Sequence, residues 1–399
     1  MSIIPIRGVV QHYAWGGYRF IPELLKLKSP ATEPHAEYWM GVHHRGPAVS
    51  SQDGRPLRDL LSIQPRARMG APVVEKFGGD LPFLFKVLDV RKMLSIQTHP
   101  TKQAAEIGYQ LENRKGIPLN AFHRNYKDDN HKPEIMVALT DFWLLHGFRS
   151  ESAITDTLQR VPEFEALIGR FRSLGLREFY RYLMELPQQQ VNEILGPLEE
   201  RLRSRNDLKR SQPDYWAAEA FRDYTQDGNY DRGIFSIYLF NLVRVDPGQG
   251  IFQDAGIPHA YLEGVNVELM ANSDNVFRGG LTPKHVDVAE LMEHVRFEAV
   301  TPRILKGQAL NAYETHYPSP APDFALTRIR LSTDEVYAAD AQTSGAILIC
   351  MNGKAKLRSG EDTLNLSRGE VCWIDAGTDV EYQASGTETT EFYKAFVPA

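Results

Sequence analysis

Three short segments of the chain carry side chains able to ligate a divalent cation. In Leu94-Ser95-Ile96-Gln97-Thr98-His99-Pro100, an extended backbone puts Ser95, Gln97 and His99 on one face and Leu94, Ile96 and Thr98 on the other. A polar face within an apolar stretch needs partners; the simpler alternative is the solvent-facing side of an edge strand. In Asp128-Asp129-Asn130-His131-Lys132-Pro133-Glu134-Ile135-Met136-Val137, Pro133 biases Lys132 toward an extended backbone. Lys132 and Glu134 then share a face, and Glu134 enters an apolar run where a lone carboxylate is costly to bury. A metal or a nearby cation offsets that cost, and a Lys132–Glu134 salt bridge is the plainer account. In Ala255-Gly256-Ile257-Pro258-His259-Ala260-Tyr261-Leu262, His259 follows a turn and precedes a strand, with Tyr261 on its face. Alone, such a histidine is an ordinary structural residue. Together the segments supply Gln97, His99, Glu134 and His259. Two imidazoles, a carboxylate and an amide oxygen suit zinc, with room for water or substrate. With only Cys350 and Cys372 present, an all-cysteine structural zinc site is excluded; Fe(II) on two histidines and a carboxylate remains chemically open.

A fourth segment, 268–284, is a dense polar loop containing Gly279-Gly280. The planar guanidinium of Arg278 suits a phosphate or an anionic enediolate. Glu268 alternates with Val267 and Leu269, so it points inward if they point outward. The alternative is a surface turn in which Thr282 caps a helix after Pro283.

The elements that must position these groups form a β–α–β pattern. Residues 1–149 read as short strands broken by Gly and Pro, with 83–88 and 93–99 as strands joined by a polar turn and 143–148 as another. From 150 to about 224, Gly and Pro thin out, and Val191, Ile194, Leu195, Leu198 and Leu202 form one stripe at helical spacing. Strands are expected again from 234 to 245, then a short helix at 287–295, then strands at 346–351, 354–357, 370–374 and 390–396. A weak repeat sets Gly250-Ile251-Phe252-Gln253-Asp254-Ala255-Gly256 on Gly369-Glu370-Val371-Cys372-Trp373-Ile374-Asp375-Ala376-Gly377. It pairs His259 with Val380 and Tyr261 with Tyr382, so only the first copy carries a ligand. The reading is one active and one structural antiparallel β-barrel.

The 399 residues, 42% hydrophobic and 24% charged, describe an ordered globular chain of two or three domains. A net charge of −6 without a single-sign block argues against nucleic-acid binding. No apolar run reaches the length of a membrane span, and residues 1–11 lack a secretory signal pattern. A cytoplasmic protein, monomeric and without a membrane or nucleic-acid partner, is expected.

These residues resemble the zinc-dependent type I mannose-6-phosphate isomerases. The resemblance runs through Tyr13-Ala14-Trp15-Gly16, Glu37-Tyr38-Trp39-Met40-Gly41, Phe83-Leu84-Phe85-Lys86-Val87-Leu88, 94–100, Asn130-His131-Lys132-Pro133-Glu134, Pro258-His259-Ala260-Tyr261 and 272–284, in order and over nearly the whole chain. Thr98 replaces a small apolar residue common in the family, and His44 stands where the family often has Pro. The resemblance implies a mainly β fold with a helical insert, in which two cupin-type jelly-roll domains accompany an all-α domain. The expected divisions are 1–149 with 226–310 (catalytic cupin), 150–225 (helical) and 311–399 (cupin-like, without metal). It also implies one zinc per chain on Gln97, His99, Glu134 and His259, and a catalytic arginine at Arg278. Substrate-pocket positions fall on Lys86, Ser95, Lys132, Tyr261, Glu268 and Asp274.

The implied reaction interconverts mannose 6-phosphate and fructose 6-phosphate through an enediol(ate). Glu268 or Lys132 is the candidate acid/base, and the sequence does not choose between them. An isomerase for another phosphosugar, an Fe(II) cupin oxygenase and a non-catalytic phosphosugar-binding cupin are the competing readings.

Overall fold

The computed structural model describes residues 2–398. It is rich in antiparallel sheet, with a helical region set between strands. One wall of the site is the antiparallel series Gly250–Gln253, Glu134–Ala138, His259–Ala271, Phe83–Val90, Glu37–Gly41 and Val9–Gln11. The thirteen-residue strand His259–Ala271 belongs to two walls. Its first half pairs with Gln97–Thr98 and with Phe142–Phe148, which in turn pairs with Phe240–Val245. The register slips between Tyr261 and Glu263, and Gly264 has φ +132. A bulge of this kind bends a strand sharply, and here it carries one strand from wall to wall.

The period-2 alternation of these strands sorts the cores. Leu88, Met136 and Ala138 meet Phe142, Leu144, Val243 and Tyr261 between the two walls. The alternate residues of the first wall, Phe85, Val87, Ile135, Val137, Val267 and Leu269, pack outward against Leu326, Ile347, Ile349, Trp373 and Tyr393 of an eight-stranded sheet. The outer face of the second wall, including Leu145, Ala260, Leu262 and Phe277, is covered by helices. These include Glu151–Arg160, Glu165–Glu185, Gln188–Arg203 and Pro213–Tyr224. Val191, Leu195, Leu198 and Leu202 are buried as the stripe requires, while Ile194 is half-buried. The eight-stranded sheet and a four-stranded one, Val336–Ala339, Val380–Ala384, Lys354–Ser359 and Asp362–Ser367, enclose a separate apolar core containing Cys350 and Cys372.

Five local expectations change. Residues 1–149, read as short strands, also contain the helices Phe20–Leu24, Leu57–Ile63, Pro65–Met69, Ala71–Phe77 and Lys102–Arg114. The strand Ile3–Arg7 lies in the eight-stranded sheet, between Val371–Ile374 and Val49–Ser50, and not beside the first barrel's strands. The stretch 234–245 is a helix, Gly233–Leu239, followed by the strand Phe240–Val245. Every residue of that helix is buried, so no polar face marks its period. Asp231 accepts the Gly233 N–H at 2.7 Å at its start. Only Gln97–Thr98 of 93–99 is strand; the preceding residues are held by Leu94 N–H to Tyr261 O and Ile96 N–H to Gly280 O. Finally, Thr282 Oγ1 accepts the Lys284 N–H within a turn, and the next helix, Val288–His294, is capped instead by Asp287, which accepts the Glu290 N–H. No helix of the described residues is long and apolar enough to cross a membrane.

Candidate metal centre and active site

The two-residue strand Gln97–Thr98 lies between two others. Gln97 is the register partner of His259 on one side and of Arg278 on the other, and His259 is also partnered by His146. Directly opposed residues in antiparallel strands share a face, so His146, His259, Gln97 and Arg278 form one row facing the interior. Glu134 opens its own strand on the facing wall, between Gln253 and Met270. His99 Nε2 stands 3.4 Å from Glu134 Oε1, and His259 Nε2 stands 3.3 Å from Glu134 Oε2. The three side chains are buried, and one ligand atom of each lies within 4.8 Å of the others.

The tautomers decide what this cluster can hold. His99 Nδ1 is 2.9 Å from the Asn275 carbonyl, and His259 Nδ1 is 2.9 Å from the Ile257 carbonyl. A carbonyl only accepts, so each Nδ1 carries the proton and donates it. Each Nε2 therefore presents a lone pair to Glu134, which also only accepts, and both Nε2 atoms are buried without a hydrogen-bond partner. Burial pushes the His99 imidazole down to about 4, against the pull of Glu134, so it is neutral near pH 7. Burial would push the Glu134 carboxyl up, but Lys132, with Nζ 3.1 Å from Oε1, helps hold it well below its usual range. Two lone pairs and an anion converging without a donor between them are the arrangement a divalent cation resolves. The nitrogen and oxygen donors suit zinc, and Nδ1–H to carbonyl is how proteins orient metal-bound imidazoles.

A second cluster, His43, His44 and Asp274, has similar atoms close together but fails the same test. His43 Nδ1 accepts the Arg45 N–H at 3.3 Å, which leaves Nε2 as the donor to Asp274 Oδ2, also at 3.3 Å. Arg45 takes the other carboxylate oxygen. The Asp274 carboxyl, which burial alone would raise, is thereby held below its usual range. This is a hydrogen-bonded rim, and its lone pairs do not converge.

Deeper in the cleft, Lys86 Nζ is 3.0 Å from Glu268 and 3.6 Å from Glu37, below the Trp39 ring. Burial alone would lower its ammonium, but Glu37 and Glu268 raise it. Burial raises the Glu268 carboxyl, against Lys86. Burial also raises the Tyr261 hydroxyl, and the charges of Glu268 and Glu134 raise it further. At the mouth, burial depresses the Arg278 guanidinium, and no ion pair with a described residue offsets it. Lys284 is lowered by partial burial and then by Arg278 and Arg45. Lys127 is lowered by burial and, despite Glu112, by Arg124 and Arg278. Arg278, Lys284, Lys127, Arg45 and Arg124 outnumber the nearby Glu112 and Asp274, and cations crowded in excess of carboxylates form a receptor for an anion.

The turn carrying Arg278 is fixed from below. Asp231 accepts the N–H groups of Leu281 at 2.8 Å and Thr282 at 3.1 Å. Gly280, at φ +107, approaches so closely that a Cβ there would lie 2.5 Å from the Gly233 Cα.

The fold thus gathers Gln97, His99, Lys132, Glu134, His259 and Arg278 at one end of the walls, with Lys86, Tyr261, Glu268 and Asp274 lining the same cleft. Ser95 is half-buried on the segment leading to Gln97. Sequence reasoning gave no role to Glu37, although its place two residues before Trp39 on one strand puts both on the Lys86 face. It also passed over Lys127, Lys284 and the His43–Arg45 rim, which become part of the site only through contacts distant in sequence.

Fold and site together define a sheet-rich metalloenzyme with an imidazole–carboxylate centre and a cationic rim. The family description "Phosphomannose isomerase type I, catalytic domain" matches residues 3–151. The mannose-6-phosphate isomerase of Salmonella typhimurium is 39% identical over 386 residues, covering 95% of this chain and 96% of that one. A mutant form of the Salmonella typhimurium phosphomannose isomerase superposes with TM-score 0.90 at 35% identity over the full length of both chains. The same organism's enzyme bound to fructose 6-phosphate and zinc superposes with TM-score 0.88. The chain belongs to the type I phosphomannose isomerase family.

Proposed function

We propose that this protein interconverts mannose 6-phosphate and fructose 6-phosphate with a bound zinc ion. The observation that carries the reading is the pair of imidazole lone pairs converging on Glu134 beside an Arg278 that has no counter-ion among the described residues. Zinc would be held by Gln97, His99, Glu134 and His259, and when bound it polarises substrate oxygens as a Lewis acid. Arg278, register partner of Gln97, holds negative charge as it develops on O1 and O2. Lys284 and Lys127 at the rim take the phosphate. Lys86, held between Glu37 and Glu268, orients sugar hydroxyls together with Ser95, Tyr261 and Asp274. Of the two acid/base candidates, Glu268 is favoured. Its carboxyl is raised by burial, which suits it to take the C2 proton and return it at C1. The Lys132 ammonium is engaged with Glu134.

The proposed architecture is two cupin-type jelly rolls, 1–149 with 226–310 and 311–399, the second also taking the strand Ile3–Arg7, plus a helical domain at 150–225. The separation of the inner cores supports it. Cys350 and Cys372 are free thiols, as a reducing cytoplasm keeps them.

A coupled assay comparing mannose 6-phosphate with other aldose 6-phosphates, before and after chelation and zinc return, tests the reading. Zinc-dependent turnover selective for mannose 6-phosphate is expected. Preference for another aldose would reassign the substrate, and full turnover in verified metal-free protein would refute the metal's role.

A further inference from the structure

Asn275 is fully buried, and its side-chain amide is saturated. Oδ1 accepts the Lys127 N–H at 2.7 Å and the Asp128 N–H at 3.4 Å. Nδ2 donates to the Asp128 carbonyl at 2.8 Å, the Asn130 carbonyl at 2.9 Å and the Asp128 carboxylate at 3.1 Å. An amide offers two N–H donors and one oxygen with two lone pairs, so nothing is left over for solvent or substrate. Turning it over would set its NH2 against two N–H donors and its oxygen against two carbonyls, so its orientation is fixed. The main chain of the same residue reaches the metal centre. Its N–H is held by Ser273 Oγ at 3.2 Å, and its carbonyl accepts the His99 Nδ1–H at 2.9 Å. The segment that the amide grips, 127–130, carries Lys127 to the rim and runs directly into Lys132 and Glu134.

We infer that Asn275 is a positioning residue that locks the metal centre to the anion rim: its amide sets the 127–130 segment, and the carbonyl anchored in this way orients His99 toward the cation. The inference rests on the metal-site and phosphate readings above. Outer groups that orient a ligand are worth about 10–100-fold in metal affinity. A displaced charged contact to the phosphate is worth about tenfold in affinity.

The test is the zinc dissociation constant of the full chain, measured by competition with a chromophoric chelator, and the KM for mannose 6-phosphate at saturating zinc. Asn275→Ala removes the amide, while Asp128 still accepts the Ser273 hydroxyl at 2.7 Å and the Asp274 N–H at 2.7 Å, so the two segments stay joined. It is expected to weaken zinc binding about 10–100-fold and to raise KM about tenfold. Lys127→Ala, which removes only the rim ammonium, is expected to raise KM and leave the zinc constant unchanged. Because the amide acts on the phosphate through Lys127, the two KM losses should not add in the double variant. A chain that merely folds less well would lose kcat with its folded fraction and keep both constants. An unchanged zinc constant in Asn275→Ala, or KM losses that add, overturns the inference. Should Asn275→Ala not fold, Ser273→Ala removes the hydroxyl that accepts the Asn275 N–H, and an unchanged zinc constant there overturns it equally. A wild-type chain that binds no zinc would instead sink the metal-site reading, and an unchanged KM in Lys127→Ala the phosphate reading.

Discussion

Replacing Arg278 by Ala separates catalysis from stability with effects of opposite character. The guanidinium is largely enclosed, and burial depresses it without an ion-pair partner to offset the cost. Its neighbours Lys284 and Lys127 are depressed in turn by its charge. Removing it relieves repulsion and breaks no salt bridge, so folding stability should stay within about 0.5 kcal/mol of wild type or improve. The transition state loses a donor aimed at developing oxyanion charge, which is worth about 3 kcal/mol, or about 10²–10³-fold in kcat. Arg278→Lys restores the charge without the planar fork and should fall between the two. Steady-state kinetics on mannose 6-phosphate, with zinc content and melting temperature measured on the same preparations, read all of this. An unchanged kcat would remove Arg278 from the chemistry. A loss of kcat matched by loss of zinc would mean that Arg278 acts by organising the Gln97 strand it pairs with, and the oxyanion role would fall.

Two further outcomes are expected. His259→Ala should abolish stoichiometric zinc by elemental analysis, whereas Val380→Ala, at the matching start of the strand Val380–Ala384, should retain it; the reverse would exchange the roles of the two segments. In metal-free protein, burial lowers His146 from 6.5 to about 4. Between those values the unfolded chain binds the proton and the folded chain does not, so stability falls as pH drops, by up to about 3 kcal/mol. Above pH 6.5 this contribution is constant. Denaturant titrations of His146→Leu should show a shallower fall between pH 6.5 and 4, and an identical slope would exclude His146 as the source.

Much was legible in the chain alone because it depends on near neighbours. The alternation of Lys132 with Glu134, the polar face of Gln97 and His99, and the apolar stripe from Val191 to Leu202 are periodicities of 2 and 3.6 that a local segment imposes on itself. The strand Thr390–Phe396 was read with its observed bounds. The stretch 233–239 misled because burial on all sides erases the period that separates helix from strand. The N-terminal strand was misplaced because its partners, Val371–Ile374, lie at the other end of the chain, and pairing at that distance leaves no local trace.

By itself, then, the sequence determined which groups were available: two imidazoles, a carboxylate, an amide and an arginine on strands that could face inward. Tertiary structure alone decided what those groups can do. The carbonyls of Asn275 and Ile257 accept hydrogen bonds from the outer nitrogens of His99 and His259, which keeps the proton there and leaves their inner lone pairs open to a cation. The Arg45 N–H does the reverse at His43 and spends Asp274 on a hydrogen bond. The physical reason is that a side chain's type sets its chemistry, whereas its proton, its charge and its partner depend on backbone atoms that only folding brings beside it.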